Sequence, residues 1–153
     1  MDEAPHLPGP VSRPAGQIQT RPLQTRPLSP HLQIYGWTVT MAASITHRLS
    51  GLALAAGMVL VAWWLFAAAS GADTYLVFVR VASHPVGLVV LFGLLWSLAF
   101  HLLNGIRHLA WDLGYGFKLS TARLTGALVY LFSVLIAAGA FVLGLMVRGG
   151  FGV

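Results

Sequence analysis

Residues 124–147 read LTGALVYLFSVLIAAGAFVLGLMV, a run without a single Asp, Glu, Lys or Arg. A helix rises ~1.5 Å per residue and needs ~20 apolar residues to cross ~30 Å of hydrocarbon. Two earlier stretches meet the same requirement. Residues 44–69 carry no charged side chain after Arg48, and a run beginning at Val86 is interrupted only by His101 and Asn104 as far as Gly105. A transmembrane barrel would instead need many short segments of alternating polarity. Helices satisfy their own backbone hydrogen bonds in lipid, so the reading is an all-α membrane protein with three transmembrane helices at about 44–69, 86–108 and 124–147.

The composition agrees. Of 153 residues, 57% are hydrophobic and only 8% charged, against about a quarter charged in a soluble domain. A mean hydropathy of +0.77 leaves too little polar surface to cover a globule in water. The absence of cysteine removes disulfide frameworks, thiolate zinc sites, cysteine-ligated iron–sulfur clusters and cysteine nucleophiles from this chain. The pI of about 10.5 rests on dispersed residues with no dense basic run, so no nucleic acid is expected as a partner.

Seven of the eight prolines lie in the first thirty residues, where they favour extended chain over helix. The expected organisation is a Pro-rich tail at 1–25, a cytoplasmic lead-in segment at 26–43, and a three-helix anchor at 44–148. The opening MDEAPHLPGP lacks an apolar core and carries early acids, unlike a secretory signal or a transit peptide. With three spans, the N-terminal tail and the second connection share one side of the membrane. That side holds Arg13, Arg21, Arg26, Arg48, Arg107, Lys118 and Arg123, against Arg80 and Arg148 on the other. The positive-inside rule then places the N-terminus in the cytoplasm. Tyr35, Trp37, Trp111, Tyr115 and Phe117 would lie near that cytoplasmic interface.

Polar residues inside a span are expensive and become candidates for function. His101 lies roughly 22 Å along its helix from Val86, and Asn104, Gly105 and His108 follow it on one face at i+3, i+4 and i+7. The structural alternative is an imidazole hydrogen-bonded to a neighbouring helix; the functional one is an axial ligand for haem iron. Ser44, His47, Arg48 and Gly51 form a second stripe at the start of the first span. Arg48 and the imidazoles suit carboxylates such as haem propionates, while Ser44 and Arg48 suit a quinone carbonyl. Arg48 could equally snorkel to lipid phosphate, and Ser44 could bond its own helix. Asp112, four residues after His108 and five after Arg107, suits either an imidazole contact or a salt bridge with Arg107 or Arg123.

Three runs carry a family resemblance: RPLSPHLQIY at 26–35, SITHRLSG at 44–51 and HLLNGIRHLAWD at 101–112. Together, in this order and at this separation, the chain resembles the cytochrome b subunit of succinate dehydrogenase, the larger membrane anchor of respiratory complex II. The resemblance extends over residues 26–153; nothing carries over onto the N-terminal ~25 residues. It implies His101 as the axial ligand of one haem b, with the second ligand from a small hydrophobic anchor subunit. It implies His47, Arg48 and His108 at the haem propionates and Ser44 and Arg48 at the ubiquinone pocket. The implied partners are that anchor, an iron–sulfur subunit and a flavoprotein subunit in which succinate is oxidised. The implied location is the bacterial inner membrane, the missing transit peptide weighing against the mitochondrial one. A quinol-fumarate reductase anchor and a non-redox structural membrane subunit are the alternatives.

Overall fold

The structure, a computed structural model, describes residues 36–150. The expected tail at 1–25 and residues 26–35 of the lead-in segment lie outside the described residues. Four helices follow in order: α1 (Val39–Ser70), α2 (Ala72–Ser83), α3 (Pro85–Asp112) and α4 (Leu119–Gly150). Three of them, α1, α3 and α4, are long and apolar enough to cross a membrane. Among the described residues there is no strand. The helices outrun the apolar stretches at both ends because helical backbone does not stop where hydrophobicity does. α1, for example, begins five residues before Ser44, capped by the Thr38 hydroxyl, which accepts from the Met41 amide at 3.4 Å.

The helix α2 was not anticipated from the sequence. Its twelve residues include Asp73 in the first turn and Arg80 in the last, charges that complement the helix dipole but lower the apolarity by which spans are recognised. Gly71, at φ 109°, separates it from α1, a conformation that favours glycine. Its other end is locked to α3. His84 caps α3, its Nδ1 accepting from the Val86 amide at 3.4 Å, and Pro85 occupies the first helical position, where its missing N–H costs nothing. Gly87 passes so close to the end of α2 that a Cβ there would run into the carbonyl oxygens of Val81 and Ala82.

The spans approach one another through small residues, as helices in lipid commonly do. The buried positions of α1 are Ala43, Ser50, Gly57 and Ala67; the first three recur every seven residues and so form one stripe. On α3 the facing stripe is Ser97, Phe100, Asn104 and Arg107, and on α4 it is Ala122, Gly126, Val129, Ser133 and Ala137. Ala43, Phe100 and Val129 form the core where the three spans meet, with Trp96, Leu103 and Tyr130 packed against it. A hydrogen bond of 2.7 Å between Thr46 Oγ1 and the Tyr130 hydroxyl joins α1 to α4 beside it. Only 11% of the most apolar part of α1 and 17% of those of α3 and α4 is buried within the chain, which leaves most of each helix facing outward.

Replacing Gly87 by Ala forces the methyl into backbone that cannot swing aside. The expected loss is on the order of 2 kcal/mol, read from the denaturant midpoint of the detergent-solubilised protein; an unchanged midpoint would mean the α2–α3 corner is looser than described.

Candidate functional site

The first turns of α1, the second half of α3 and the start of α4 lie at the same end of the bundle, and the polar residues of the apolar helices collect there. His47 and His101 stack face to face, with ring centroids 3.9 Å apart and planes 11° from parallel. His108 lies 5.2 Å from His47, tilted by 48°. The two helical stripes read from the sequence thus converge on three imidazoles. Gly51 makes the approach possible, since a Cβ there would sit 3.0 Å from His101 Cε1.

The His101 ring is held from the α1 side. Its Nδ1 lies 3.2 Å from the backbone carbonyl oxygen of His47 and 3.1 Å from Ser50 Oγ. Ser50 donates its own hydroxyl hydrogen to the same carbonyl at 2.9 Å. A carbonyl oxygen only accepts, so Nδ1 carries the proton and donates, which leaves the Nε2 lone pair free. Among the described residues nothing hydrogen-bonds His101 Nε2. The buried Nδ1 of His47 likewise has no hydrogen-bond partner. Stacking keeps the ring nitrogens from converging, and among the described residues no group of three or more His, Cys, Asp or Glu side chains is arranged to hold a metal ion directly.

Behind the imidazoles lies a strut that the sequence reading did not assign. Arg107, only 7% exposed, turns away from the histidines toward α4. It donates to Ala122 O at 2.9 Å, to Thr125 Oγ1 at 3.1 Å and to Asn104 Oδ1 at 3.2 Å, and its guanidinium stacks 4.0 Å over the Trp111 ring. A guanidinium has no acceptor, so Asn104 must present its oxygen to Arg107 and its amide hydrogens elsewhere. Asn104 Nδ2 lies 3.3 Å from His108 Nε2. The sequence reading offers Arg107 as a salt-bridge partner for Asp112; spacing locates the residue but not the direction of a long side chain. Asp112, an expected partner of Arg107, His108 or Arg123, is exposed at the end of α3, while Arg107 is taken by α4 and His108 by Asn104.

Ser44 and Arg48 share a face of α1 at i and i+4. Ser44 is half-buried and Arg48 exposed. Neither side chain hydrogen-bonds another described residue, so both present unspent side-chain donors beside His47. Further along the bundle an apolar cleft of about 940 Å³ opens between Leu54, Met58, Leu91, Leu98 and Phe141. Its walls offer almost no directional chemistry, and the polar cluster remains the candidate site.

The succinate dehydrogenase/fumarate reductase transmembrane subunit family matches this chain over residues 22–140. The chain belongs to that family. The match contains α1, α2, α3 and every residue of the polar cluster. Among relatives, the succinate dehydrogenase cytochrome b556 subunit of Paracoccus denitrificans is 40% identical over 112 residues, 73% of this chain and 86% of the relative. The cytochrome b556 subunit of Rickettsia felis is 39% identical over 111 residues, 72% of this chain and 86% of the relative. The mitochondrial cytochrome b560 subunit of Bos taurus is 40% identical over 116 residues, 74% of this chain and 69% of the relative. Within this family member, His47 and His101 meet where α1 and α3 come together, and Arg107 of α3 braces that end of the bundle against α4.

Arg107→Met keeps the side-chain bulk but strands Asn104 Oδ1 and abolishes three donor contacts. Polar contacts in membranes are individually modest, so the expected loss is about 2–3 kcal/mol, read from the same denaturant midpoint. A change below 0.5 kcal/mol would show that α3 and α4 do not depend on the strut.

Proposed function

We propose that this chain is the membrane-anchoring, haem b-binding subunit of a succinate:ubiquinone oxidoreductase and forms part of its ubiquinone site. The observation that carries the reading is the state of His101: Nδ1–H is held by the α1 backbone, and Nε2 keeps an unengaged lone pair. A neutral imidazole fixed through its far nitrogen is the usual form of a metal-ligating histidine.

The donor set fits a haem. One imidazole nitrogen, Nε2 of His101, would be available to the haem iron, and a histidine of a small hydrophobic anchor subunit would supply the other ligand. The orphaned, buried Nδ1 of His47 suits a propionate oxygen, and His108 and Arg48 stand beside it to share that charge. Bound there, the haem supplies a one-electron redox centre inside the bilayer. His101 would orient it, and the His47 and Arg48 donors would hold its carboxylates at the membrane surface.

Ser44 and Arg48 would meet the quinone. The Ser44 hydroxyl would donate to one carbonyl oxygen, and the Arg48 guanidinium would stabilise the negative charge that develops there as ubiquinone is reduced. Nothing among the described residues oxidises a dicarboxylate, which fits a division of labour: a flavoprotein subunit oxidises succinate to fumarate, and an iron–sulfur subunit delivers the electrons to the quinone. The location is the bacterial inner membrane with the N-terminal end of α1 toward the cytoplasm, a reading supported by the excess of basic residues at that end.

Two substitutions separate the roles. In His101→Leu the reduced-minus-oxidised spectrum of the purified complex should lose its haem b signal; an undiminished signal excludes the ligand assignment. In Arg48→Ala ubiquinone reduction by succinate should fall by at least tenfold, while reduction of an artificial dye by succinate stays within twofold. Equal retention of both activities would remove Arg48 from the quinone site.

A further inference from the structure

We infer that Ser50 is a positioning residue for the haem ligand, holding the His101 imidazole in one tautomer and one rotational setting. This rests on the haem-anchor reading proposed above and adds a residue to it.

Ser50 is 3% exposed in the centre of the α1 stripe that faces α3. A buried serine in a helix ordinarily satisfies itself by donating to a carbonyl one turn back, and Ser50 does so, to His47 O at 2.9 Å. That bond uses its single hydrogen. Its oxygen lone pairs remain, and His101 Nδ1 lies 3.1 Å away. The Nδ1–H is therefore shared between two acceptors on α1, Ser50 Oγ and His47 O, the latter at 3.2 Å. Two acceptors one helical turn apart fix the ring's rotation, whereas one would leave it free to pivot about a single bond. Gly51 tightens the arrangement, since a Cβ there would press on the ring edge at 3.0 Å from His101 Cε1. Consecutive residues of α1 thus supply a hydroxyl and a gap, and the carbonyl of the turn before completes the cradle.

The chemical consequence follows from charge donation. Acceptors on Nδ1–H raise the basicity of Nε2, and a more basic axial ligand favours the ferric over the ferrous state. Removing the Ser50 oxygen should shift that preference toward ferrous iron.

The test uses the purified four-subunit complex, with haem content, redox titration of the haem and the low-spin ferric electron paramagnetic resonance spectrum as readouts. In Ser50→Ala the midpoint potential should rise by an amount equal to a two- to fivefold change in the one-electron equilibrium constant, about 18–41 mV at 59 mV per tenfold. The ferric g values should broaden or move as the ring gains freedom. Ser50→Thr, which retains the hydroxyl, should restore both signals. Ser50→Cys, close to serine in size but a weak acceptor, should behave like Ser50→Ala and decides the matter if the alanine variant does not assemble. Wild-type potential and g values in both the Ala and Cys variants would overturn the inference, as would failure of the Thr variant to assemble with the wild-type spectrum, since Ser50 would then be a packing residue only. A wild-type complex without haem would instead overturn the underlying reading, so the two failures are distinguishable.

Discussion

Everything at the polar end of this bundle depends on how closely α1 approaches α3. A histidine within a span can be held by backbone only where a neighbouring helix brings a carbonyl within hydrogen-bond reach, and large side chains between the helices would prevent it. Here the facing stripe of α1 is Ala43, Ser50 and Gly57, and Gly57 admits Leu94 so closely that a Cβ would lie 2.8 Å from its Cδ2. Small residues along the whole contact therefore serve the imidazole at one point of it. In lipid, where apolar side chains gain little by leaving the hydrocarbon, such close packing is itself the main source of helix association.

A second consequence of that approach is a division of polar residues by task. Those on α3 that look inward between α3 and α4, Asn104 and Arg107, are bonded to each other, with Arg107 reaching α4 and Asn104 reaching His108. Those on α1 that look outward, Ser44 and Arg48, hold no described partner. The structural group braces and the outer group is left with donors to offer. Arg107 belongs with the braces even though an arginine near a membrane surface is ordinarily placed with lipid headgroups.

The membrane class and the three spans were legible because the cost of a charge in hydrocarbon leaves long uncharged runs in the sequence. Helical spacing also located the histidines, since residues three, four and seven apart on a helix share a face whatever surrounds it, and His47 and His101 do come together. The same logic failed at two places. The helix α2 escaped because a short helix carrying Asp73 and Arg80 leaves no apolar signature. The direction of Arg107 escaped because a long flexible side chain can reach either of two neighbouring helices from one position, and the acceptors that decide it, Thr125 and the Ala122 carbonyl, lie on α4. Ser50 was visible inside SITHRLSG, but its role depends on a carbonyl of its own helix meeting a ring from another, which spacing does not encode.

The bond sequence from Arg107 through Asn104 to His108 has a sense of direction. A guanidinium is a permanent donor, so it dictates which end of the Asn104 amide faces it, and the opposite end must donate to His108 Nε2. With that nitrogen accepting, the neutral His108 ring keeps its own hydrogen on Nδ1 and can offer only a donor to whatever lies beyond. A charge fixed between α3 and α4 thus sets the hydrogen-bonding polarity of an imidazole two residues further along the chain of contacts. The protein writes that polarity into covalent structure, through the choice of an arginine that never gives up its proton.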